Sequence, residues 1–224
     1  MSSARARLFD GSVGTKILIG LTGLALVLYL VVHIAGNLLV LLGPEVFNEY
    51  SHMLLSNPLI PVIEVGLLVV LLFHIYKTVR MQLANRAARP IQYEQKKYAG
   101  GSSRKSLASS TMVFSGLWLL LFIIVHVRTF KYGPYYDAGN GVRDLYRLEL
   151  ENFSNPLTVA FYLLSMLVVG SHLWHGTASA FQSLGLNRPQ WTLRLLTAGK
   201  AFAVVIASGF AMIAVWAFFM GGRP

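Results

Sequence analysis

The chain has 224 residues, 55% hydrophobic and only 12% charged, with a mean hydropathy of +0.58. A soluble domain carries about 25% charged residues, so this composition argues against a water-soluble globular enzyme and for an integral membrane protein. The net charge of +10 would point to nucleic acid only in a soluble protein, and the lack of cysteine excludes disulfides, thiolate zinc sites, Cys-ligated iron–sulfur clusters and Cys nucleophiles in this chain.

Crossing a hydrocarbon core of about 30 Å takes roughly 20 apolar residues. Five stretches qualify, at about 17–42, 59–80, 106–130, 156–184 and 200–221. All are expected to be helices, because lipid offers backbone groups no other partner. None alternates like an outer-membrane strand. The first is longer than a signal-peptide core and runs straight into more protein, so no cleavage is expected. The second holds Glu64 near its start. A basic connection over 86–105 is rich in Gly and Ser near 100–103 and reads as a link rather than a domain. The 132–155 connection is long and polar, with an amphipathic segment over 142–151 expected on the surface. No internal repeat is present, so 1–224 reads as one all-α membrane domain of five spans.

Five spans place the termini on opposite sides. The side holding the N-terminus, the second connection and the fourth carries 14 Lys/Arg and two acids, Asp10 and Glu94. The other carries five Lys/Arg (Arg128, Lys131, Arg143, Arg147, Arg223) and seven acids. Excess Lys/Arg in short loops marks the cytoplasmic face, so the N-terminus is expected inside and the C-terminus outside.

Of six histidines, only His52 falls in a loop. His33, His74 and His126 lie on spans one, two and three, and His172 and His175 on span four. Intramembrane ionisable residues are costly and suggest a functional site; the plainer reading is an interhelical hydrogen bond. Four helices each offering an imidazole suit haem iron, which takes axial His ligands from facing helices. At 1.5 Å rise per residue, His33 sits about 5 Å and His126 about 12 Å outside mid-span. His74 sits about 7 Å, His172 about 3 Å and His175 about 8 Å on the cytoplasmic side. The histidines thus sort into an outer pair, His33 with His126, and an inner set from spans two and four. Two haems stacked this way, with both axial positions filled, would relay single electrons across the bilayer. Gly36, Gly116, Gly170 and Gly176 lie near these residues in sequence and either make room for a porphyrin or allow tight helix packing.

Several segments carry a resemblance. They are His33-Ile-Ala-Gly-Asn37, Ser115-Gly116 ten residues before His126, and Ser171-His172-Leu-Trp-His175-Gly176. With 43–48 after span one and 130–133 after span three, they resemble the dihaem cytochrome b subunit of succinate:quinone oxidoreductases. That family comprises the single-subunit, five-helix anchors of succinate dehydrogenases and fumarate reductases. The resemblance implies His74 and His172 as ligands of an inner haem b, and His33 and His126 as ligands of an outer one. Depth alone favours His175 as partner of His74. The family's ligand has glycines four and thirteen residues on, which only His172 matches, through Gly176 and Gly185.

Haem propionates need cationic or hydroxyl partners. Lys77 and Arg80 follow His74, Arg128 and Lys131 follow His126, and His175 lies one turn from His172. For the four Lys/Arg, snorkelling to headgroups is the alternative. The resemblance also implies a quinone, with menaquinone preferred. Glu45, Glu49, His52 and Glu64 are candidates for its protons, or else solvated loop residues. The chain has no flavin or dinucleotide fingerprint. By resemblance, the dicarboxylate chemistry belongs to a flavoprotein and an iron–sulfur subunit docked on the basic cytoplasmic face, which would also attract anionic lipid. The expected location is the cytoplasmic membrane of a prokaryote. Competing readings are a dihaem anchor of a nitrate reductase or hydrogenase, a proton-coupled transporter, and a haem-free structural anchor.

Overall fold

The structure, a computed structural model, describes residues 11–88, 107–139, 141–186 and 188–221. These form eight α-helices. They are α1 (Ser12–Asn37), α2 (Pro44–Leu55), α3 (Ile60–Ala87), α4 (Leu107–Ser110), α5 (Met112–Phe130), α6 (Leu145–Phe153), α7 (Pro156–Ser183) and α8 (Pro189–Gly221). A 3-10 turn, Leu38–Leu42, continues α1. Five helices are long and apolar enough to cross a membrane: α1 with its 3-10 turn, α3, α5, α7 and α8. The protein is a multi-pass, all-helical membrane protein over the described residues.

The boundaries follow local chemistry. The 3-10 turn ends at Gly43, whose φ of +105° suits a residue without Cβ. Pro44 then starts α2, where its missing N–H costs nothing. Asn155 caps α7 by accepting from the Leu157 N–H, with Pro156 in the first turn. Asp144 caps α6 in the same way, through the Arg147 N–H.

Charge ends an apolar run without ending a helix. For this reason α3 continues past the expected 80 to Ala87, and α8 begins at Pro189 rather than 200. The third span is broken, with α4 and α5 meeting near Thr111. The amphipathic segment expected over 142–151 is the helix α6 at 145–153. Glu45, Glu49 and His52 lie on α2 rather than in an irregular loop. The first ten residues and most of the 86–105 connection, including Gly100–Ser103, lie outside the described residues, as does Arg223.

α7 is the hub: it packs along α8, α1 and α5, while α3 packs along α1. Ile34, Met166, Val169, Leu173, Ala203 and Ile206 form the core where α1, α7 and α8 meet. Lipid supplies no hydrophobic push between helices, so close approach has to come from small residues. A Cβ on Gly170 would stand 3.1 Å from the Ala207 Cβ of α8, and one on Gly36 would stand 2.7 Å from the Tyr50 hydroxyl. These two glycines therefore seat neighbouring elements, the packing alternative of the two expected from sequence. Among the described residues α3 has no comparable packing against α5 or α7. Along α3 only Lys77 is buried, and Val62, Leu68, Leu72 and Val79 are exposed.

At one end of the bundle α2 and α6 are joined by Asn48, which is 5% exposed. Its amide donates to Asp144 at 2.8 Å, and its carbonyl accepts from the Tyr146 N–H at 3.0 Å. The Arg143 guanidinium donates to the carbonyls of Lys131, Gly133 and Pro134 and gathers the preceding loop.

Candidate functional site

Histidines occur at two levels of the bundle. At the level expected to lie outward, His33 of α1 and His126 of α5 meet edge to face, with ring centroids 5.8 Å apart and planes at 90°. Metal–imidazole bonds are about 2 Å long, so two imidazoles on opposite sides of one metal ion have centroids about 6 Å apart. The observed centroid spacing is close to that value. Tyr29 stacks on His33 at 5.3 Å, and Phe122, Phe130 and Tyr162 surround His126. At the inner level His172 of α7 lies within electrostatic reach of both His74 of α3 and His175.

Hydrogen bonds separate these residues more sharply. His74 Nδ1 lies 3.0 Å from the Thr22 hydroxyl of α1, and the Ile19 carbonyl stands near the same ring. His172 Nδ1 lies 2.9 Å from the Ser115 hydroxyl of α5. Each hydroxyl also has a carbonyl of the preceding turn as an acceptor, Leu18 at 2.8 Å from Thr22 and Met112 at 3.0 Å from Ser115. Each hydroxyl can then accept from an imidazole proton on Nδ1, the tautomer that leaves the Nε2 lone pair free. Metal-bound histidines are held in this way, with the second nitrogen donating to an orienting group. His126 Nδ1 is 3.2 Å from the Tyr162 hydroxyl. His33 Nδ1 has a longer contact, 3.4 Å, to the Asn37 amide nitrogen. That amide already donates to the His33 carbonyl at 2.7 Å, so it leaves the His33 tautomer open. The side-chain hydrogen bonds found for these four rings among the described residues are all at Nδ1, and the Ile19 carbonyl is a further partner of the His74 ring.

His175 is half-buried, and no hydrogen bond holds its ring among the described residues. His52 is exposed on α2, away from both levels. Gly23 and Gly116 lie against His74 and His172, where added Cβ atoms would stand 3.4 and 4.0 Å from the Cε1 atoms. Gly176 faces open space. No group of three or more His, Asp or Glu is gathered as a metal cluster among the described residues. The grouping is in pairs, and a bis-His haem draws only two ligands from protein.

No family model, curated protein or solved structure matches this chain. The site therefore has to be read from its own geometry.

The flanking charges divide. Lys77 is buried one turn beyond His74, its ammonium 5.5 Å from the Phe73 ring centroid. Arg80 is exposed and donates to Tyr76 of its own helix. Arg128 lines a cleft of about 430 Å³ with Thr129, Tyr132 and Asn152. Lys131 forms an ion pair with Glu64 that ties the C-terminal end of α5 to the N-terminal part of α3. Glu64 also lies within electrostatic reach of Tyr29, the residue stacked on His33. Glu45 and Glu49 are exposed.

Four residues were not singled out from sequence as acting on this site. Thr22, Ser115 and Tyr162 orient imidazoles, and Glu149 is a buried carboxyl on α6. Hydroxyls inside apolar spans are the available signal for the first three. For Glu149 the signal is its place on the 145, 148, 149, 153 stripe of an amphipathic helix.

Proposed function

We propose that this chain is the membrane anchor and electron-transfer subunit of a succinate:quinone oxidoreductase, carrying two b haems. His74 and His172 hold the inner haem, and His33 and His126 the outer one. The observation that carries this reading is the arrangement of four intramembrane imidazoles on four helices. They lie at two levels, each with its side-chain hydrogen bond at Nδ1, and a hydroxyl meets that nitrogen on His74 and His172. Interhelical hydrogen bonding alone would make the same Nδ1 contacts, so the pairing of imidazoles from four helices at two levels is what favours a metal. The sparse packing of α3 against α5 and α7 provides room beside His74.

Bound haem would supply a one-electron redox centre at each level. The rest is work for the protein. Thr22 and Ser115 orient ligands, Lys77 offers a buried cation to an inner propionate, and Arg128 offers one at the outer end. His175 borders the inner site as a second propionate candidate. The basic face binds an iron–sulfur subunit and its flavoprotein in the cytoplasm, and the N-terminus lies on that side. Quinone, menaquinone by preference, exchanges electrons with the pair of haems in the membrane. Of the four proton candidates, Glu64 has the best placement, paired with Lys131 and near Tyr29 beside His33. The location is the cytoplasmic membrane of a prokaryote.

The test is a dithionite-reduced spectrum of the purified protein with a pyridine haemochrome assay. Two haem b per chain are expected, together with a co-purifying flavoprotein and a cysteine-rich iron–sulfur protein. A colourless protein would sink the reading and leave a proton-coupled transporter or a plain anchor.

A further inference from the structure

Helix α5 serves both histidine levels. Its Ser115 meets His172, and its His126 meets His33. Eleven residues separate these two positions, about 16 Å along the helix axis. Yet among the described residues α5 packs extensively on one spanning helix only, α7, with brief contacts to α4 and α6. It has no comparable packing on α1, the helix that carries His33. The placement of α5 at both levels therefore comes through α7.

Among the described residues three side-chain hydrogen bonds join α5 to α7. Ser115 lies 2.9 Å from His172 Nδ1, Trp118 Nε1–H donates to the Ser165 hydroxyl at 3.0 Å, and His126 Nδ1 lies 3.2 Å from the Tyr162 hydroxyl. The partners descend along α7 as they ascend along α5, the order of antiparallel neighbours. The first and last of these bonds end on imidazoles that the haem reading commits to iron. The middle one needs no ligand. An indole N–H can only donate, so the direction of this bond is fixed. Ser165 is 0% exposed, and its own proton has the Phe161 carbonyl in reach at 2.8 Å. The rings beside it run toward the histidine: Trp118 on Phe161 at 5.9 Å, Phe161 on Phe122 at 5.9 Å, and Phe122 on His126 at 5.6 Å.

Lipid gives helices no hydrophobic push together, so packing and polar contacts set where one helix rests on another. The hydrogen-bond ladder within α5 holds Ser115 and His126 at a fixed separation. A slip of α5 along α7 therefore displaces both levels together. We propose that Trp118 and Ser165 are positioning residues for both redox centres at once. Their bond sets the register of α5 on α7, and that register places Ser115 against His172 and His126 against His33. The inference rests on the haem reading above and adds a pair of residues that touches neither haem ligand by a hydrogen bond.

The experiment is electron paramagnetic resonance of the oxidised intact complex in its membranes, with haem retention measured alongside. Low-spin g values depend on how the axial imidazole planes are turned, so they report position and not only content. Trp118→Phe keeps an aromatic ring and removes the donor. The g values of the inner and outer haems should both shift. Retention should fall a few-fold at both, less than the roughly 10–100-fold expected when a direct orienting group is lost. Ser165→Ala should reproduce both effects, and the double variant should be no worse than either single one, because the same bond is removed only once. Trp216→Phe, on α8 against Tyr146, should leave both signals as they are. A plain loss of stability lowers haem content while the haem that remains keeps wild-type g values. That result, a shift at one level only, or additive effects in the double variant overturns the inference while the haem reading stands; absence of haem from the wild type overturns both. If Trp118→Phe does not assemble, Ser165→Ala decides by the same readout, since it removes a single oxygen.

Discussion

A hydroxyl next to an imidazole can accept from it when a carbonyl of the hydroxyl's own preceding turn takes the hydroxyl proton. Thr22 and Ser115 each have such a carbonyl in reach. With the imidazole proton on Nδ1, His74 and His172 would each present a lone pair on Nε2. Loss of such an orienting group commonly costs 10–100-fold in metal affinity. Ser115→Ala and Thr22→Val should therefore each weaken inner-haem retention by roughly 10–100-fold, read as haem lost during dialysis with an acceptor protein. Retention equal to wild type in both would remove the orienting role. His172→Ala should abolish the inner low-spin haem signal, whereas His175→Ala should keep it. Loss in His175→Ala alone would reverse the assignment, and depth along the span favours that residue.

Helices α2 and α6 form a cap at one end of the bundle whose strength lies in a few buried polar contacts. Asn48 is satisfied on both ends of its amide, so removing it strands the Tyr146 N–H and one contact of Asp144. Asn48→Ala should cost about 1–3 kcal/mol and should appear as a lower melting temperature and faster proteolysis of the 132–155 connection. Glu149 makes the same cap sensitive to pH. Burial pushes its carboxyl up to about 8 in the fold, from an ordinary value of 4.5. Between those values the folded protein holds a proton that the unfolded chain has released, so stability falls as pH rises through the window. The contribution is complete below about 4.5 and gone above about 8. Melting curves of solubilised protein from pH 5 to 9 should show this decline, and Glu149→Gln should flatten it. A melting temperature that climbs from pH 5 to 8 would contradict the assignment.

Across the whole molecule, charge and helix geometry set the expected topology. The cytoplasmic side is expected to carry 14 of the Lys/Arg and two acids, and the outer side five Lys/Arg and seven acids. The chain has no cysteine, so single introduced thiols report sidedness against no background. In whole cells, Asp137→Cys in the loop before α6 should react with an impermeant maleimide. Arg86→Cys at the end of α3 should react only after permeabilisation. The reverse pattern would invert the topology. The sparse contacts of α3 also matter at this scale. An element packed along one neighbour only leaves a long apolar flank, and a haem edge or lipid covers such a flank well because neither demands hydrogen bonds.

The sequence alone determined the number of spans, because lipid forces backbone groups to pair within a helix and leaves about 20 apolar residues as the readable unit. It also separated the histidines into outer and inner levels, since a fixed rise per residue turns position in a span into depth. Helix ends were less legible, as α3 and α8 show, because charge stops an apolar run but not a hydrogen-bond ladder. Only the tertiary structure decided which neighbour each side chain meets. It set Ser115 and Thr22 against imidazoles, gave Gly36 and Gly170 to helix packing, and buried Glu149 within α6. Those outcomes depend on how helices far apart in sequence rotate and cross, and short-range periodicity does not specify that.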